Sequence, residues 1–163
     1  MKNIIKKLIN FGIFNFDKIY YSGVEKMVKW GKLITAGIAA SVVRYLISSG
    51  FGYYFQGLYD PVSGLWRAMM TPSWIQNTMI THVILAFIAV FVYAIIHTGL
   101  GKKSDLAKKG LKYGLILWIL RDFTGSIMTY VFMPVSFTLI GVWLISGLLV
   151  SVLNGLIIAR IYR

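Results

Sequence analysis

Apolar residues dominate four long stretches of the chain, and polar residues gather between them. The stretches cover about 31–53, 75–98, 111–133 and 135–159, or 23 to 25 residues each. As helices they measure roughly 34–38 Å, enough to cross a hydrocarbon core about 30 Å thick with some tilt. In lipid every backbone polar group must be bonded internally, so helices are expected, and the period-2 alternation of a β-barrel is absent. The pattern predicts an all-α membrane protein. Residues 1–163 form a single membrane domain with four transmembrane helices in a compact bundle, preceded by an amphipathic interfacial helix.

The third stretch is interrupted by Arg121-Asp122-Phe123-Thr124-Gly125-Ser126, and hydropathy by itself would discard it. Charge placement restores it. The bases Lys2, Lys6, Lys7, Lys18, Lys26, Lys29 and Lys32 precede or open the first span. Lys102, Lys103, Lys108, Lys109 and Lys112 lie between the second and third, and Arg160 and Arg163 close the chain. All fourteen fall on one side only if there are four spans, and a Lys/Arg excess marks the cytoplasmic side. The expectation is therefore both termini inside, with Arg67 the one loop base outside, in a membrane of the prokaryotic inner (plasma) type.

Residues 1–29 read as an interfacial helix. At 100° per residue, Ile4, Ile5, Leu8, Ile9, Phe11, Ile13, Phe16 and Ile19 share one arc. Lys2, Lys6, Lys7, Asn10, Asp17 and Lys18 lie opposite or at its border, and only Phe14 and Asn15 break the pattern. Such a helix suits anionic lipid at the inner leaflet. The alternative is the acidic face of a partner protein.

Composition sharpens this picture. Apolar residues make up 58% of the chain and charged residues 13%, about half the share of a soluble domain, with a mean hydropathy of +0.73. A soluble or disordered protein is excluded. The net charge of +12 follows the topology rather than a soluble basic face, so no nucleic-acid partner is expected. No cysteine is present, and two histidines with scattered acids offer no metal site. H-E-x-x-H, G-x-S-x-G and P-loop signatures are missing. No catalytic residue and no cofactor is expected.

The candidate site is a layer of charge at mid-depth. Charged side chains there are expensive and mark function by default. Arg44, Arg121 and Asp122 are nearly level when counted along their helices, His82 lies about 7 Å further out, and Thr124, Ser126 and Thr129 add hydroxyls. Depth predicts an Arg44–Asp122 pair, with Arg121 about 100° around its helix and facing a separate polar space. Two arginines against one aspartate leave one guanidinium for an anionic ligand, a partner's carboxylate or a hydrated cavity. His82 reads as a hydrogen-bonding helix packer, and His97 as a headgroup-level residue.

In the outer loop, aromatic residues flank an Asp60-Pro61-Val62-Ser63-Gly64 turn. The loop is either an aromatic belt lying on the bilayer or a lid shaped by Asp60, Trp66 and Arg67, with Asp60 and Arg67 paired. Small residues at Gly147, Ser151, Gly155 and Ala159, at Gly37 and Ser41, and at Gly110 and Gly114 predict close helix seams, within the chain or between copies. Three functions fit. One is a homo-oligomeric protein that binds or moves a small solute or ion. Another is an accessory subunit of a larger membrane complex. The third is a lipid-headgroup enzyme, which lacks a nucleophile.

Overall fold

A computed structural model describes residues 29–65, 71–100 and 105–163. The amphipathic reading of 1–29 lies outside the described residues, except for Lys29. All the regular structure described is helical. Helix α1 spans Trp30–Tyr54, α2 Pro72–Ile96, α3 Leu106–Phe132 and α4 Phe137–Ile161. Each is long and apolar enough to cross a membrane, including the interrupted third. Between α1 and α2 the chain makes two short 3-10 turns, Gln56–Leu58 and Asp60–Leu65.

Local chemistry sets the helix starts. Thr71, followed by Pro72 in the first turn, accepts from the Trp74 amide at 3.3 Å. Asp105 accepts from the Lys108 amide at 3.2 Å, and Ser136 from the Leu139 amide at 3.2 Å. These are N-caps that satisfy orphan amides. Met133, before Pro134, is extended (φ −127°, ψ 143°), and there α3 ends. Lys108 also pairs with Asp105 at 2.9 Å, and these bonds hold the exposed Asp105 carboxyl below its ordinary range.

The main contacts join α2 to α1, α1 to α4 and α4 to α3. The predicted small-residue seam lies inside the chain, between α3 and α4. A Cβ on Gly114 would stand 2.6 Å from the Ser151 carbonyl oxygen and 2.7 Å from the Val152 Cα, so only glycine permits this approach. Gly110 meets the Leu156 backbone in the same way.

One end of the bundle carries Lys29, Lys32, Lys109 and Arg163, and its core is closed. Tyr93, Tyr113 and Tyr162 are fully buried there with Leu33, Ala36, Ala40, Val90 and Ile158. Tyr113 donates to the Ala89 carbonyl and so ties α3 to α2. Its ring meets Tyr93 edge-on at 5.0 Å. Tyr162 accepts from the Lys29 amide at 2.8 Å. His97 packs on Tyr93 and Tyr162, at 5.9 and 5.6 Å, at the edge of this cluster. Lys109, counted above among the loop bases, is 6% exposed and donates to the His97 carbonyl at 3.0 Å.

Candidate functional site

The four predicted site residues meet at mid-depth, though with different partners from those expected. Residues Trp118–Phe123 of α3 are π-helical. The Thr124 amide reaches back to the Ile119 carbonyl, a five-residue step, and the Thr124 hydroxyl bonds the same oxygen at 2.9 Å. A wider turn rotates each residue by less than the 100° of an α-helix, and such segments recur at functional sites. Arg121 and its neighbour Asp122 can therefore face one another.

Arg121 Nε donates to Asp122 Oδ1 at 2.8 Å and Nη2 to Oδ2 at 2.6 Å. The α4 residue Ser151 joins them. Its hydroxyl accepts from Arg121 Nη2 at 2.8 Å and donates to Asp122 Oδ2 at 2.7 Å. Gly147 makes room, since a Cβ there would lie 2.8 Å from the Asp122 side chain. The pair is partly buried, with the two side chains 25% and 15% exposed. This bidentate fork is the strong geometry for a guanidinium and a carboxylate.

The expected Arg44–Asp122 pair is thereby corrected. Among the described residues no acid lies within 4.0 Å of Arg44. Arg44 instead donates from Nε to His82 Nδ1 at 3.0 Å. A guanidinium has only donors, so while this bond stands His82 is neutral and carries its proton on Nε2. His82 packs α2 on α1, as predicted, and meets Tyr45 edge-on at 5.9 Å. Arg44 is 8% exposed, and its Nη1 has no hydrogen-bond partner among the described residues. Two arginines still face one acid, but the unanswered one is Arg44 and not Arg121.

A cavity of about 230 Å³ is lined by Arg44, Arg121 and Asp122 together with Ser48, Tyr59 and Trp143. Ser146 and Gly147 also border it. A second cavity of about 280 Å³ shares Ser48, Gly52, Tyr59 and Trp143, and reaches His82, Thr78 and Trp74 on α2. Tyr59 and Trp143 thus stand at the boundary of both, with the indole N–H donating to the Tyr59 hydroxyl at 2.6 Å. Beside them Leu58 and Val62 of the segment between α1 and α2 pack on Val135, Leu139, Ile140 and Leu144. Burial pushes the Tyr59 phenol up, and the Trp143 bond opposes this.

The loop therefore reaches the site through Tyr59. Asp60 is exposed, and Trp66 and Arg67 lie outside the described residues, as does any Asp60–Arg67 pair. Of the hydroxyls expected in the layer, Thr124 and Thr129 bond their own helix carbonyls, Thr124 exposed and Thr129 half-buried. Ser126 is buried, but Ser48, Ser146 and Ser151 are the hydroxyls at the site. Ser48 could have been found in the sequence: Ser41, Arg44 and Ser48 follow helical spacing on one face of α1. Among the described residues no three His, Cys, Asp or Glu side chains gather to hold a metal.

The chain is all-helical among the described residues, with four helices long and apolar enough to cross a membrane and a cavity bearing charged side chains near their mid-length. No family model matches the chain, and neither a curated protein nor a solved structure is significantly similar to it.

Proposed function

We propose that the protein binds, and moves across the membrane, a small solute or ion held in the mid-depth layer of Arg44, Arg121, Asp122 and His82. The observation that carries this is the meeting of two guanidinium groups and one carboxylate on one cavity between apolar helices. Ionisable groups at this depth are costly and mark solute or ion pathways. The lysine-bearing end faces the cytoplasm, as the Lys/Arg excess directs, with anionic lipid beside it. The cavities then lie toward the outer side.

Proteoliposomes placed in iso-osmolar sodium acetate, glycine or ethanolammonium gluconate, with ionophores present so that the counter-charge can move, test this. Protein-dependent swelling is expected in one of them and should be lost in Ser48→Leu, which fills the cavity. Swelling no faster than empty liposomes in all three, with no binding of any, would remove the reading. Single cysteines at Gln56 and Arg163 test the orientation. Only the Gln56 position should react with an impermeant reagent from outside.

The accessory-subunit reading draws on α3. Only 6% of its apolar stretch is buried, against 28–33% in the other three helices, which leaves that face open to a larger partner. Copurification of a stoichiometric larger protein in mild detergent would favour it.

A further inference from the structure

We infer that the solute of this site is a compact monovalent anion, a small carboxylate or inorganic anion of a few atoms, held chiefly by Arg44. This rests on the proposed reading of the layer as a solute site and names the class of solute.

Charge is the first ground. The layer holds two guanidinium groups and one carboxylate, and His82 is neutral while it accepts from Arg44. One positive charge is left over in an apolar surround, and a buried charge demands a partner. The second ground is which group carries the excess. Arg121 is answered by a bidentate carboxylate and a hydroxyl. Arg44, less than one-tenth exposed, has a neutral imidazole on Nε and an unpartnered Nη1.

The third ground is the balance of donors and acceptors. Tyr59 accepts from the Trp143 indole and so retains its own proton to donate. Ser48 adds a hydroxyl. The one strong acceptor, Asp122, already receives bonds from Arg121 twice and from Ser151. A cation would meet two guanidinium groups, and the ammonium of a zwitterion would have to compete for Asp122. Size is the fourth ground, because a cavity of about 230 Å³ is smaller than the roughly 300–1,000 Å³ of drug-sized sites.

Thermal unfolding of the full chain in phosphatidylcholine nanodiscs provides the test, in a chloride-free sodium gluconate background of constant ionic strength. Sodium acetate, nitrate and chloride are titrated in turn, then glycine and ethanolammonium gluconate. A saturable rise in Tm is expected for at least one compact anion, about 5–10 °C at a hundred times its Kd. Arg44→Gln should abolish the rise. Ser48→Leu, which leaves both guanidinium groups in place, should abolish it too, and it decides the matter if the arginine variant does not fold.

Saturation by glycine or ethanolammonium without any by a compact anion would overturn the anion assignment and leave the solute-site reading standing. No shift from any probe would remove both. A rise that persists in Arg44→Gln would place the anion elsewhere. Stabilisation by phosphatidylglycerol discs with no response to free anions would assign the charge to a lipid phosphate and overturn the free-solute claim.

Discussion

The two halves of the bundle are built differently. Toward the lysine-bearing end, three buried tyrosines, small residues of α1 and α2 and the Gly110–Gly114 seam pack the described helices closely. Beyond Arg44 lie two cavities, one between α1, α3 and α4 and the other between α1, α2 and α4, which share Ser48, Gly52, Tyr59 and Trp143. The polar layer stands at the junction. Tyr59 and Trp143 border the cavities on one side of the layer, and the tyrosine cluster packs the helices on the other.

The largest expected effect lies at the junction and separates the two arginines. Removing one member of a buried pair costs about 3–5 kcal/mol. The Arg121–Asp122 fork is partly exposed, so the loss for Asp122→Asn should be near 3 kcal/mol, the lower end of that range. Arg121→Met combined with Asp122→Leu should recover much of it. Arg44→Met removes a charge that no acid answers, so stability should hold or rise. Reversible unfolding in mixed micelles checks all three. Equal losses for Asp122→Asn and Arg44→Met would mean that the carboxylate serves both arginines alike.

Much of the frame was legible because it follows from length and composition. Four apolar runs of bilayer length gave four helices, and bases on one side preserved the third. The helix bounds were less legible. α3 begins at Leu106, ahead of the apolar run, because Asp105 caps it and lysines within the first turns lower its hydropathy. α2 begins at Pro72 because Thr71 caps it. The layer's members could be read from depth, but their pairing could not. An i→i+4 helix separates Arg121 from Asp122 by about 100°, and nothing in Trp118–Phe123 announces a π turn. The Tyr59–Trp143 bond was hidden for another reason: it joins residues 84 positions apart through a loop that folds back.

The second effect tests the closed half directly. Gly114→Ala places a methyl against backbone atoms of Ser151 and Val152, which cannot rotate away. Overpacking of this kind costs about 1–3 kcal/mol, and backbone neighbours put this site near 2. Gly125→Ala, on the far half of α3 where a Cβ meets nothing within 4 Å, should cost nothing measurable and could gain from helix propensity. A matched loss at both positions in the same micelle assay would show that the two halves are packed alike.

The smallest effect falls on the roof of the open half. Tyr59→Phe removes one hydrogen bond from the Trp143 indole and should cost about 1 kcal/mol, the usual net worth of such a bond. Its pH dependence follows from the raised phenol. Below about pH 10 the phenol is protonated in both folded and unfolded chains, so it adds no slope. Above that the unfolded chain ionises first and binds fewer protons than the folded one, and stability falls as pH rises. Tyr59→Phe should therefore be less stable than the wild-type chain at neutral pH and lose less on going to alkali. Unfolding curves at pH 7 and pH 11 read both changes. If the mutant and wild-type curves stay parallel across that interval, Tyr59 is not held in a buried site, and the two cavities lack the boundary that Tyr59 gives them.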